Sequence, residues 1–205
     1  MNLLWILART SGLAAVVFLS AVMVLGILSS ADFGRRRWSR FVTNGLHRRI
    51  AYLACAMLGL HIITVVADSY VDVGAISVMV PFTSGYERFA VGLGALAFDA
   101  MVVLIATSLT RQHLPFRVWQ MIHVAAYAAW PLAILHGVLA GTDDLLSLAL
   151  TMICALAVGS VALFRVFNRP TPAPRTTGPP PGAAALQSTA AIRPSQTTRE
   201  LSTSR

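Results

Sequence analysis

The 205-residue chain contains no lysine, and only 12% of its residues are charged. Acidic residues number 8 against 16 basic ones, all arginine, for a net charge of +8. Cysteine occurs twice, as Cys55 and Cys154, both inside apolar runs. Neither a disulfide framework nor a Cys-x-x-Cys pair is therefore available, and the two thiols read as small buried residues. The Cys-x-x-Cys-His pattern of covalently attached c-type haem is missing as well. No phosphate loop, nucleophile elbow or zinc motif occurs, and no catalytic residue is assigned.

What the chain has in excess is apolar surface: 56% hydrophobic residues and a mean hydropathy of +0.69. That much cannot be hidden in one small core, so the bilayer must be the solvent. A pI near 11 does not indicate nucleic acid here. The arginines lie between apolar stretches, where they orient membrane helices, rather than on a soluble basic face.

Five apolar segments are long enough to cross roughly 30 Å of hydrocarbon as helix, at about 20 residues per crossing. They run over Leu3–Leu28, Leu46–Ala67, Tyr86–Leu109, Phe116–Ala140 and Leu145–Phe167. A shorter stretch, Val71–Phe82, carries Asp72 and Pro81 and reads as an interfacial or re-entrant piece. The first segment has no basic residue before Arg9 and is followed by Arg35-Arg36-Arg37, which suits a retained helix rather than a signal peptide. From Pro170 to Arg205 the chain is rich in Pro, Thr, Ser and Ala and is expected to be disordered. The expected fold is thus an all-α membrane protein. A bundle of about five transmembrane helices fills residues 1–169, and a disordered cytoplasmic tail fills 170–205.

Loop charge alternates. Arg35, Arg36, Arg37 and Arg40 follow the first segment, Arg48 and Arg49 open the second, and Asp68 and Asp72 follow it. Arg111 and Arg117 follow the third, Asp143 and Asp144 the fourth, and Arg165 and Arg169 close the fifth. Because arginine is retained on the cytoplasmic side, the N-terminus is expected outside and the C-terminus inside the cell membrane.

Four of the five histidines lie in the second and fourth segments: His47 and His61, 14 apart, and His123 and His136, 13 apart. Both segments run from inside to outside in this topology. At 1.5 Å per residue the separations are roughly 21 and 20 Å, which sets His47 level with His123 and His61 level with His136. Two helices that each carry an inner and an outer histidine can hold two stacked haems, each iron taking two imidazoles. An intramembrane histidine can also simply hydrogen-bond a neighbouring helix, but its cost in lipid makes function the default reading. The angle fits less well than the depth. His61 falls about 40° off His47, whereas His136 falls about 140° short of His123 on an ideal helix. Pro131, between the last two, is the expected site of distortion.

The stretch Gly45–Gly141 resembles the ferric reductase-like transmembrane domain. That superfamily includes ferric reductases, NADPH oxidases and the haem-binding membrane subunit of methionine sulfoxide reductase systems. The resemblance is carried by Leu46-His47-Arg48-Arg49, Leu60-His61, Thr107-Ser108 with Arg111, Trp119, His123, Tyr127 and Leu135-His136-Gly137. It implies two b-type haems, one on His47 with His123 and one on His61 with His136. The larger relatives carry a fused flavin and nucleotide domain and usually six helices. Here a short tail and five helices are read, so a separate flavoprotein or a membrane quinol is expected to supply the electrons. Ferric iron, oxygen or a protein outside would accept them.

Arg48 and Arg49 are candidates for haem propionate contacts as well as for lipid headgroups, since arginine binds carboxylates bidentately. Asp99, midway along the third segment, should face the bundle and be bonded or protonated, with a proton relay or the orientation of a ligand histidine as its roles. His113 reads as a solvated loop residue. Gly92 and Gly94 read as helix-packing residues, Trp5, Trp38 and Trp119 as interfacial anchors, and Met57 and Met79 as packing residues. The resulting reading is a dihaem cytochrome that carries electrons across the membrane. A haem-containing anchor subunit exchanging electrons with quinone for a partner enzyme is the first alternative, and a non-redox membrane protein the second.

Overall fold

The computed structural model describes residues 3–30, 40–68, 73–141 and 145–168, and every regular element among them is a helix. The tail from Pro170 lies outside the described residues. So do Trp38 and the loop charges Arg35, Arg36, Arg37, Asp72, Asp143, Asp144 and Arg169, on which the expected orientation rests.

Helix α1 (Leu3–Ser30) is followed by α2 (Arg40–Ala67), the short α3 (Ala75–Met79) and α4 (Arg88–Leu109). A single 3₁₀ turn, Arg111–His113, then leads to α5 (Phe116–Val124), α6 (Ala126–Ala140) and α7 (Leu145–Phe167). With α5 and α6 taken as one span, five helices are long and apolar enough to cross a bilayer. The chain is a multi-pass, all-α membrane protein, as its composition requires. The fifth span begins and ends at the expected residues, whereas α2 starts at Arg40 rather than Leu46. Its extra first turns hold Arg40, Thr43 and Asn44, polar residues that a reading of apolar runs leaves out although a helix accepts them.

The fourth span is interrupted, but not at Pro131. Helix α6 runs through Pro131, and the break falls at Ala125, six residues earlier. There the Ala125 N–H bonds Ile122 O at 2.9 Å and the Ala128 N–H bonds Ala125 O at 3.0 Å, both three residues back rather than four. Such a turn winds about 120° per residue instead of about 100°. The extra winding carries α6 around toward the face that an unbroken helix would miss.

Helix α1 organises the bundle. It packs along α2 and α7 and touches α6, while α4 packs along α6. The contact faces are built from small residues, with Ser11, Ala15 and Ser20 on α1, Ala54 on α2 and Ala90, Gly92, Ala95 and Ala97 on α4 all buried. Lipid tails are as apolar as leucine, so close backbone approach, not apolar burial, favours association here. Large apolar side chains such as Ile63, Leu156 and Phe167 accordingly stay exposed on the outer faces. Polar ties from α1 complete the packing. Trp130 Nε1–H donates to Ser20 Oγ (3.0 Å), Arg165 to Ile27 O (3.0 Å), and Arg9 to Gly141 O and Ser147 Oγ (3.3 Å each).

Within the short apolar stretch, α3 is followed by a turn in which Phe82 takes φ 65°, the left-handed region. Its ring lies where a side chain at position 92 would sit, so Gly92 makes room for Phe82 as α3 packs against α4. Five residues of helix cannot span a bilayer, and Ile76 and Met79 on it are exposed.

Candidate functional site

A cavity of about 1800 Å³ runs between the helices, lined by residues of α1, α2, α4, α5 and α6. A pocket for one drug-sized ligand holds about 300–1,000 Å³, so this one has room for more than one such group. All four segment histidines line it.

The structure brings them together in two pairs. His47 and His123 have ring centroids 6.5 Å apart with planes at 58°. His61 and His136 have centroids 6.2 Å apart with planes at 69°. These are the pairs set by depth, and the extra winding at Ala125 turns α6 in the direction that reduces the angular misfit of an ideal helix. A metal–imidazole bond is about 2 Å long, so two imidazoles on opposite sides of one metal have centroids about 6 Å apart. Both pairs meet that spacing.

Each ring is held by its surroundings, three of them in the same manner. His47 Nδ1 lies 3.1 Å from Val22 O, His61 Nδ1 2.8 Å from Ala8 O, and His136 Nδ1 2.8 Å from Ala90 O. A carbonyl only accepts, so Nδ1 carries the proton and the neutral ring keeps its lone pair on Nε2. That is the tautomer a metal needs, and the carbonyl bond fixes the ring's orientation. Glycines lie against the same three rings. A Cβ added at Gly12 would stand 2.9 Å from His61 Nδ1, one at Gly94 2.8 Å from His136 Nδ1, and one at Gly26 3.6 Å from His47 Cε1. Gly94 therefore does more than pack helices: it seats a ring. His123 is held differently, with its ring stacked on Trp119 at 4.8 Å and 22°.

Among the described residues no three His, Cys, Asp or Glu side chains come together as ligands for a bare ion. Two imidazoles leave most of a bare ion's coordination unfilled, whereas a metal held in a macrocycle needs only axial ligands.

The remaining singled-out residues fall as follows. Arg48 and Arg49 are exposed and line the cavity at the end that carries His47. Asp99 is half-buried, is absent from the cavity lining and forms no hydrogen bond or ion pair among the described residues, so it orients none of the four histidines. His113 is exposed on the 3₁₀ turn. Trp5 lies in the first turns of α1, with the Arg9 guanidinium 5.1 Å from its ring centroid. Trp119 faces inward onto His123 and is no simple interfacial anchor. Met79 is exposed, so it is no packing residue. Cys55 is half-buried in the cavity wall and Cys154 is buried; both are free.

Reading the sequence residue by residue missed three features: the carbonyls of Ala8, Val22 and Ala90, the ring-seating glycines, and Trp130. The last lies between the two histidine levels, seven residues after His123 and six before His136, and also lines the cavity. One signal was present, because Gly12 and Gly26 are 14 apart, the same spacing as His47 and His61.

Comparison with curated proteins returned no match, and comparison with solved structures returned none. Residues 11–134 match a family model described as the ferric reductase like transmembrane component. The match takes in α1 from Ser11 onward with its two glycines, together with His47, His61 and His123, and ends two residues before His136. It reaches further back than the expected start at Gly45, into α1, where it includes Val22, whose carbonyl holds His47, but not Ala8, whose carbonyl holds His61. Spanning more than half of the chain, it shows that this membrane redox component belongs to the ferric reductase-like transmembrane family.

Proposed function

We propose that the chain is a b-type dihaem cytochrome that carries electrons across the membrane, with His47 and His123 as axial ligands of an inner haem and His61 and His136 of an outer one. The observation that carries the reading is the pair of histidine–histidine spacings, 6.5 and 6.2 Å between ring centroids, within one large cavity. The carbonyl bonds at three of the four Nδ1 atoms support it, because they leave Nε2 free to ligate. Haem, when bound, supplies one-electron chemistry. The protein orients four rings, walls the site with apolar helices and keeps two levels apart. Arg48 and Arg49, exposed at the cavity end near His47, are placed in this reading beside the inner haem's propionates.

A separate flavoprotein or membrane quinol delivers the electrons, and an acceptor outside the cell receives them: ferric iron, oxygen or a protein. The test is a reduced-minus-oxidised spectrum of the purified chain from haem-replete cells, with haem quantified per protein. Cytochrome b bands and two haems per chain are expected. A colourless protein would sink the reading.

A further inference from the structure

Three of the four ring-holding arrangements share one device. His47, His61 and His136 bond the carbonyls of Val22, Ala8 and Ala90, and the residue four positions beyond each carbonyl is glycine: Gly26, Gly12 and Gly94. The reason lies in helix geometry. A helical C=O points at the N–H four residues on, so a ring placed over that carbonyl also lies against the Cα of that residue. At Gly12 and Gly94 only glycine leaves the space, whereas at Gly26 an added Cβ would stand 3.6 Å from the ring, an ordinary contact.

The fourth arrangement breaks the pattern. On α1 the two glycines are 14 apart, and 14 residues beyond Gly94 on α4 stands Ser108, which also lines the cavity. The buried Nδ1 of His123 has no hydrogen-bond partner among the described residues. Its ring lies nearly parallel to Trp119, at 4.8 Å. The Arg111 guanidinium sits 4.4 Å from the Trp119 ring centroid, and Phe116 is 5.9 Å from it. Trp119 Nε1 is also buried without a hydrogen-bond partner among the described residues, so ring contacts and not polar bonds hold the indole there.

We propose that Trp119, pinned by Arg111, is the positioning residue of His123, its stacking contact replacing the carbonyl bond that orients the other three histidines. The inference rests on the haem reading above. A carbonyl bond at Nδ1 raises the basicity of a ligand imidazole and fixes its plane. His123 lacks that support, which makes it the weaker ligand of the inner pair, and the indole is what sets its plane. The indole thus contacts both the imidazole, at 4.8 Å, and the guanidinium, at 4.4 Å.

The test uses the purified full-length protein with haem bound. Two six-coordinate haems do not bind carbon monoxide when reduced, and each ferric low-spin haem gives its own paramagnetic resonance signal. In Trp119→Leu, carbon monoxide should bind one haem of the two and one low-spin signal should shift, the same signal that His123→Ala abolishes. Trp119→Phe, which keeps an aromatic face, should restore the wild-type signal, and Arg111→Gln should move it part of the way. If Trp119→Leu does not accumulate, Trp119→Met keeps the bulk without a ring and is read in the same way. A wild-type spectrum with unchanged signals and no carbon monoxide binding in the Leu or Met variant overturns this inference alone. A Phe variant that matches Leu also overturns it, because stacking would then not be what matters. A wild-type protein without cytochrome b bands overturns the haem reading, and this inference with it.

Discussion

Gly12 and Gly94 are the residues on which the outer histidine pair most directly depends. A methyl group at either would stand within 3 Å of an imidazole Nδ1, closer than real Cβ contacts come, and would push the ring off its carbonyl. At Gly26 the corresponding distance is 3.6 Å, an ordinary contact. Gly12→Ala and Gly94→Ala should therefore each lose the outer haem and keep the inner one, while Gly26→Ala should stay close to wild type. Haem-to-protein ratios on the three variants check this. Loss of a ligand's second hydrogen bond typically costs about 10–100-fold in metal affinity, so partial haem loss at low haem supply is the mildest expected result. A Gly94→Ala variant with both haems intact would show that the ring is not seated as described. These contacts were only partly legible beforehand. His47, His61, His123 and His136 stand out because polar residues in apolar helices are rare. A glycine beside a ring 49 residues away, as Gly12 is beside His61, leaves no local trace. Asp99 shows the opposite case: a charge in an apolar run draws attention, yet its side chain takes no part in the cavity.

At the scale of elements, hydropathy alone located all five spans, because crossing hydrocarbon demands long apolar helices whatever their tertiary contacts. It did not locate the break in the fourth. Proline is the usual cause of a kink, and Pro131 drew the expectation, but a proline also fits within a helix whose neighbours satisfy the freed carbonyl. The run Ala125-Ala126 carries no breaking residue, so its 3₁₀ turn comes from packing rather than from local preference. If that turn sets the angle between His123 and His136, register there matters more than Pro131 does. Pro131→Ala should keep both haems. One alanine inserted between Ala125 and Ala126 should turn α6 by about 100° against α5 and lose the outer haem. Absorption spectra of the two variants decide it: an insertion that leaves both haems in place would assign no role to the turn.

For the whole molecule, two levels of histidines matter because of the thickness of the barrier. Levels roughly 20 Å apart in a hydrocarbon core of about 30 Å leave only about 5 Å from each level to a membrane face. Neither pair alone reaches both sides, so the proposed electron path requires the two levels to act in series. Orientation is a separate matter and rests on arginine placement. A reporter fused after Arg205 should be active only in the cytoplasm, and activity only outside the cell would invert the molecule. The series arrangement can be tested without knowing orientation, natural donor or natural acceptor. In sealed proteoliposomes with ferricyanide trapped inside and a membrane-impermeant reductant outside, each electron that crosses reduces one ferricyanide, and the trapped colour fades. Wild-type protein should bleach it in either orientation. His61→Ala and His47→Ala should each stop bleaching, although each keeps one haem, because each leaves a gap of roughly 20 Å or more between the surviving level and the far face. Reduction of the surviving haem from outside, read in the same sample, separates loss of crossing from loss of folding. Bleaching at the wild-type rate in either single-level variant would show that electrons do not pass through both levels in turn.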